Sequence, residues 1–256
     1  MEVVFLIIFF IFGSVLGSFY NVVGYRLPKG ESILKPKHSY CPTCNNKLSY
    51  LEMIPILSYV IQGGKCKHCK EKIALFYPFI ELITGLLFSV SYYSFGFSYE
   101  LVISLVLSSM FVIIIVSDVK YLIIPDEVTL IGAIVIIITE LLGFGLKTTW
   151  HSILSGLTMF VVMYLIMLMG NYIFKKESLG GADVKLMFVV GLALHPLVGF
   201  FVIFVASLIA LPISLLLLHV NEERVIPFGP FIMLATLMFY FLKIDVSAII
   251  NYLTFI

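Results

Sequence analysis

Charge is scarce in this chain. Sixteen Lys and Arg and fifteen Asp and Glu are spread over 256 residues, for a formal net charge of +1. So even an overall balance argues for no nucleic-acid partner. Polar stretches are equally scarce, because 61% of the residues are hydrophobic. A soluble domain of this size has no use for that much apolar surface, so the chain reads as a polytopic membrane protein. No GxSxG elbow, Walker A loop, HExxH pair or GxGxxG turn occurs. Their absence removes the usual signatures of serine-hydrolase, P-loop, zincin and dinucleotide chemistry. Cysteine is missing everywhere except between positions 41 and 69.

What is there, first, is a series of apolar runs. Cutting at charges, Pro and Gly gives segments at about 3–23, 77–95, 100–117, 128–144, 151–174, 184–195, 197–218 and 228–242. Most fit the roughly 20 residues that a spanning helix needs. The sixth is short and ends at His195-Pro196, and the tail from Val246 to Ile256 is too short to span unaided. The first, Val3 to Val23, lacks a basic n-region and reads as a retained span, not a cleavable signal. Pro212 predicts a kink inside the seventh helix. Met159, Met163, Met167 and Met169 read as lipid or core filler.

Nine of the sixteen Lys and Arg lie between Arg26 and Lys72. Lys120, Lys175, Lys176, Lys185 and Arg224 fall in loops of the same bank, and only Lys147 and Lys243 fall on the other. The positive-inside rule then puts residues 24–76 in the cytoplasm and the N-terminus outside.

Residues 24–76 hold all four cysteines, as Cys41-Pro-Thr-Cys44 and Cys66-Lys-His-Cys69, with 21 residues between the pairs. Two CxxC pairs at about this spacing make a closed tetrahedral thiolate site for structural zinc. A cytoplasmic address keeps thiols reduced, and bound metal supplies folding energy that a small insert lacks. His38 and His68 read as solvated bystanders. The expected fold is an all-α polytopic membrane protein of about eight transmembrane helices with a small cytoplasmic zinc-ribbon-like insert. Its parts are the first helix at 1–23, the four-cysteine insert at 24–76 and a membrane domain at 77–256.

Acidic residues at a membrane boundary are costly to keep and point to function. Glu100, Glu140 and Asp245 fall toward the outer face, among headgroups. Asp126 and Glu127 follow Pro125 and suit the first turn of the fourth helix. Glu222 and Glu223 belong to a short polar loop. Asp118 and Asp183 differ: each abuts an apolar helix and is followed by Val-Lys. The bland reading pairs each with its own lysine, Lys120 or Lys185, or makes it a helix cap. Gly180-Gly181-Ala182 beside Asp183 allows close backbone approach and unusual dihedrals. Two carboxylates that meet in a partly dry site share a proton and can hydrolyse an amide without a nucleophilic side chain.

These residues jointly resemble the type IV prepilin peptidases, bacterial aspartic membrane proteases with a GxGD-type motif. The resemblance rests on Gly17-Ser18-Phe19-x-Asn21, Arg26-Leu27-Pro28, the double CxxC, Tyr77-Pro78-x-x-Glu81 and Asp118. It continues through Ile124-Pro125-Asp126-x-x-Thr129, Gly180-Gly181-Ala182-Asp183-Val184-Lys185 and Ile226-Pro227-Phe228-Gly229-Pro230-Phe231. It implies an enzyme of the bacterial cytoplasmic membrane that cuts the leader from prepilins or pilin-like proteins after a glycine, on the cytoplasmic side. Many such enzymes then N-methylate the new terminus, commonly Phe, with S-adenosylmethionine. Asp118 and Asp183 match the catalytic pair. The methyl-transfer role attaches to the N-terminal segment and the cysteine insert. Gly17, Ser18 and Asn21 are then expected at a donor or substrate site, with Arg26 at its cytoplasmic edge and Glu81 at the new amino terminus. Gly180, Gly181 and Lys185 are expected beside the aspartates.

Three departures stand out: Ala182 for the motif's second glycine, Asp126 where Asn is common, and Phe76 where Arg is often found. Competing readings are a peptidase without methyl transfer, a proton-coupled transporter using both aspartates as a relay, and an inactive scaffold docking a partner through its zinc insert.

Overall fold

A computed structural model describes residues 2–35, 39–41, 43–175, 179–220 and 226–244. The readings made for His38, Lys176, Glu222, Glu223, Arg224, Asp245 and the tail lie outside them. The chain divides into two compact units, residues 1–96 and 97–256.

The first unit is built on α1 (Glu2–Arg26) and α3 (Phe76–Phe95). They pack antiparallel, because contacts pair early α1 residues with late α3 residues: Ser89 Oγ donates to Leu6 O at 2.9 Å, and Asn21 reaches Tyr77 O. The approach is close enough to require glycine. A Cβ on Gly13 would sit 2.7 Å from Thr84 O, and one on Gly17 would sit 2.9 Å from Glu81 Cα. Small residues four apart are how membrane helices bring their backbones together. The insert between them carries α2 (Leu57–Ile61) and two short 3-10 turns. Among the described residues it has no strand, only isolated antiparallel bridges Tyr40–Lys47 and Lys65–Lys72.

The second unit holds α4 (Tyr99–Tyr121), α5 (Asp126–Phe174), α6 (Gly181–Ala193), α7 (Pro196–Val220) and α8 (Gly229–Phe241). At 49 residues α5 would run about 74 Å if straight, more than twice the hydrocarbon thickness. It is not straight. Gly145 has φ 80° and ψ 171°, a region open to glycine and strained for other residues. Ser152 Oγ donates to Glu140 Oε1 at 2.9 Å, across twelve positions that a straight helix would hold about 18 Å apart. The two arms, 126–144 and 146–174, therefore fold back on each other. Counting both arms, the units contain eight apolar helical segments, the expected number. Among the described residues five continuous helices are long and apolar enough to span, and α6 and α8, with 13 residues each, are short.

The hairpin corrects the reading of Glu140. It is buried, 6% exposed, under the second arm instead of lying among headgroups. α6 runs against α5, where a Cβ on Gly191 would meet Gly156 Cα at 2.7 Å.

Polarity is arranged for lipid. Ser104, Ser117 and Thr236 are fully buried and bond the carbonyls one turn back, while Ile7, Ile11, Leu130, Ile131 and Ile138 are exposed. Backbone groups in a bilayer must be satisfied within the protein, and helices do this residue by residue.

Candidate functional site

Asp118 lies in the last turn of α4. That helix ends at Leu122, whose left-handed conformation (φ 55°) turns its N–H back to Asp118 O at 2.9 Å. The side chain is 5% exposed, between fully buried Ile114, Val116 and Ser117. Gly229, at the start of α8, comes up against its carboxylate. A Cβ on Gly229 would fall 3.1 Å from Asp118 Oδ2 and 2.6 Å from Ile124 Cδ1. Glycine is what lets the start of α8 approach the carboxylate.

Asp183 sits in the first turn of α6, where an acid suits the helix N-terminus. Its N–H donates to Gly180 O at 3.1 Å, and a Cβ on Gly180 would lie 3.1 Å from Asp183 Oδ2. Neither Gly180 nor Gly181 has positive φ. The glycines beside Asp183 thus give room and not unusual dihedrals, and Gly181 has nothing within 4 Å of an added Cβ. Asp118 acts electrostatically on Asp183, and α4 and α6 both pack against α8. The two acids from separate helices share one buried neighbourhood.

The lysines do not neutralise them. Lys185 Nζ reaches both carboxylate oxygens of Asp126 at 2.8 Å, in an exposed pair. Lys120 Nζ lies 5.7 Å from the Tyr121 ring centroid. Among the described residues neither Asp118 nor Asp183 takes part in an ion pair. Asp126, the residue standing where Asn was expected, is thus spoken for by Lys185.

In the first unit a second polar cluster forms where Gly17 admits α3. Glu81 Oε2 accepts from Ile56 N–H at 2.7 Å, and Ser18 lies near this carboxylate. Ile56 sits at φ 62°, ψ −52°, the centre of a tight turn that strains a β-branched residue. Asn21 Nδ2 donates to Gly17 O and Tyr77 O at 3.3 and 3.4 Å, while its buried Oδ1 has no partner among the described residues. Arg26 donates to the carbonyls of Ser32, Ile33 and Lys35, holding the loop after α1.

The four cysteines converge. Their Sγ atoms all lie within 4.8 Å of one another, with Cys41 and Cys69 at 3.8 Å. A tetrahedral zinc with bonds of about 2.3 Å needs sulfurs about 3.8 Å apart, so the cluster fits the ion. The two CxxC turns are built alike. Cys41 N–H donates to Asn46 O and Asn45 N–H to Cys41 O; Cys66 N–H donates to Glu71 O and Lys70 N–H to Cys66 O. Asn45 and Lys70 each carry positive φ to close the turn. Backbone N–H groups of Cys44 and Thr43 hold the Cys41 thiol down to about 6, favouring the thiolate that binds metal. His68 is outside this ligand set; its Nε2 lies 3.7 Å from Glu52 Oε1, so it has a partner instead of being a bystander.

Sequence reasoning left Gly13 and Gly229 out of the site. Gly13 was visible as a glycine four residues before Gly17. Gly229 was visible only within its Pro-flanked motif, with no sign of which side chain it would meet.

The N-terminal domain model of the bacterial A24 peptidases matches residues 11–95, and the model of the type IV leader peptidase family matches residues 105–215. The chain is similar to curated proteins named "Prepilin leader peptidase/N-methyltransferase". One from Bacillus subtilis (strain 168) is 32% identical over 237 residues, covering 91% of this chain and 92% of its own length. One from Vibrio cholerae serotype O1 (strain ATCC 39315 / El Tor Inaba N16961) is 34% identical over 264 residues, covering 94% and 98%. One from Neisseria gonorrhoeae is 30% identical over 245 residues, covering 86% and 84%. No solved structure gives a significant match.

Proposed function

The chain belongs to the type IV leader peptidase family, and from that premise we propose that it cleaves the leader of prepilins or pilin-like proteins and N-methylates the new terminus. The active side faces the cytoplasm, as the crowding of Lys and Arg on that bank supports. The observation that carries the peptidase reading is the electrostatic coupling of Asp118 and Asp183, two acids brought from different helices and without an ion-pair partner among the described residues.

Two carboxylates sharing a site hold one proton between them. The ionised one takes a proton from water as the water oxygen bonds to the scissile carbonyl carbon. The protonated one gives its proton to the carbonyl oxygen, forming a neutral tetrahedral diol. On collapse the first acid protonates the amine nitrogen, the C–N bond breaks, and a diol hydroxyl returns its proton to the second acid. No covalent intermediate is required.

For methyl transfer, Glu81, Ser18 and the unpartnered Asn21 Oδ1 form an acceptor cluster that suits the new amino terminus. S-adenosylmethionine supplies the methyl group when bound. Gly17 and Asn21 are the residues we assign to that region, with Arg26 ordering the loop at its edge. Zinc at Cys41, Cys44, Cys66 and Cys69 is structural, since four thiolates leave no open coordination position.

Co-expression with candidate prepilins tests this. Asp118→Asn and Asp183→Asn should each abolish leader cleavage while the protein still inserts; full cleavage by both would sink the assignment. Mass spectrometry of the mature N-terminus reads methylation, and an unmodified terminus after normal cleavage would remove that half.

A further inference from the structure

The cysteine insert shows an apolar face that no described residue covers. In α2, Leu57, Val60 and Ile61 stand at i, i+3 and i+4, so they share one side of the helix. All three are exposed, Ile61 to 82%. Tyr59 turns the other way: a Cβ on Gly64 would lie 2.7 Å from its Oη. The 3-10 turn Tyr50–Met53 packs against α2 and adds exposed Tyr50 and Leu51. Exposed apolar side chains are expected on α1 and α3, which face lipid along their length. α2, with five residues, cannot span, so its patch needs another cover.

The fold fixes the depth of that face. Ile56, immediately before α2, donates its N–H to Glu81 Oε2 at 2.7 Å. Glu81 lies five residues into α3, about 7.5 Å along the axis from Phe76. With 20 residues, α3 is just long enough to cross the hydrocarbon. Its first turns therefore stand at the membrane surface, and α2 is held beside them instead of out in the cytoplasm. The hold overrides local preference. Leu57 N–H donates to Pro55 O at 2.5 Å across Ile56, whose φ 62° and ψ −52° are those of the rare, strained three-residue turn. A β-branched residue takes up that conformation only where its surroundings impose it.

Charge suits the same place. Between Cys41 and Leu75 stand Lys47, Lys65, Lys67, Lys70 and Lys72, against only Glu52 and Glu71. The five lysines are exposed, and none takes part in an ion pair among the described residues. We propose that the insert docks on the cytoplasmic leaflet of its own bilayer. Leu57, Val60 and Ile61 enter the boundary between headgroups and acyl chains, and the lysines meet the phosphates of anionic lipids. An apolar stripe flanked by lysines binds lipid surfaces in this way. A second copy of the insert would cover the stripe but set lysines against lysines. A substrate's apolar helix would cover the stripe and leave the lysines unanswered. The docking goes beyond the reaction proposed above and holds whichever reaction the chain runs.

Tryptophan fluorescence tests it in the full-length protein. The chain has one tryptophan, Trp150, so Trp150→Phe gives a dark background for Val60→Trp and, separately, Ile61→Trp. Each variant is placed at one copy per nanodisc in phosphatidylcholine with about a third phosphatidylglycerol, with and without lipids brominated near the top of the acyl chain. Emission should shift to the blue of an indole out of water, and bromine should quench it about twofold or more. Omitting phosphatidylglycerol, or raising salt to about 1 M, where screening acts within about 3 Å, should cut that quenching by about half. Water-like emission without quenching at both positions overturns the proposal. Quenching that neither change of lipid nor salt alters removes the lysine contact and overturns it as stated. A blue shift that appears only when a prepilin is added makes a substrate helix the occupant, and one that needs two copies per disc makes it a second chain; either overturns docking on lipid.

Discussion

Lys185 is the residue whose partner changes the most. By sequence it stands two positions after Asp183 and reads as a neighbour of the dyad. In the folded chain it is drawn to Asp126 at 2.8 Å. Helical residues two apart do not face each other, which is why the adjacent aspartate loses to one 59 positions away. The pair is more than half exposed on both sides, so it is worth only about 0–1 kcal/mol. Asp126→Asn, the commoner residue at that place, should therefore leave the melting temperature within a few degrees and cleavage within about threefold of wild type. A far larger loss would mean that Asp126 acts on the dyad directly. Asp118, by contrast, is buried with no ion pair among the described residues, and conservative exchange to Asn is expected to be fatal to turnover.

At the scale of elements, glycines decide the contacts. Gly191 faces the backbone of Gly156 across α5 and α6, where no flexible side chain can yield. Gly191→Leu should destabilise the second unit by about 1–3 kcal/mol or more through overpacking, read as a lower thermal midpoint in detergent. Gly145 works through its dihedrals: with φ 80°, Gly145→Ala should cost about 1–3 kcal/mol, although nothing lies within 4 Å of an added Cβ. The cysteine insert has few buried apolar side chains, Cys41 and Cys66 themselves being buried. We propose that its order comes largely from metal at the four cysteines. Chelation, or Cys44→Ser, should abolish zinc binding and open the insert to limited proteolysis between about residues 35 and 75, while wild type with zinc resists. Unchanged resistance without metal would show that the insert folds on its own hydrogen bonds.

For the whole molecule, the decisive quantity is the side of the membrane. Nine of sixteen basic residues lie between Arg26 and Lys72, and moving so many across a bilayer is unfavourable. In intact cells an impermeant thiol reagent added after chelation should leave the cysteines unlabelled, and permeabilisation should expose them. Labelling in intact cells would reverse the orientation. The division into residues 1–96 and 97–256 parallels the two family models, which match 11–95 and 105–215. If methyl transfer belongs to the first unit and cleavage to the second, as we propose, Cys44→Ser should depress methylation more than cleavage.

Much was legible before any coordinates. The eight apolar segments, the CxxC spacing, the Lys and Arg bias and the two Asp-Val-Lys sites depend on composition and local order, which a linear reading retains. Helix count and the metal cluster followed directly, because hydrophobic length and ligand spacing are local properties. What stayed hidden was partnership. That Glu140 is folded under Ser152, that Lys185 turns to Asp126, and that Gly229 comes up against Asp118 all depend on contacts that the linear order does not display. The sequence by itself determined which acids were costly enough to need a reason. Tertiary structure alone decided which of them is buried and which is answered by a lysine, because solvation and ion pairing are set by neighbours in space.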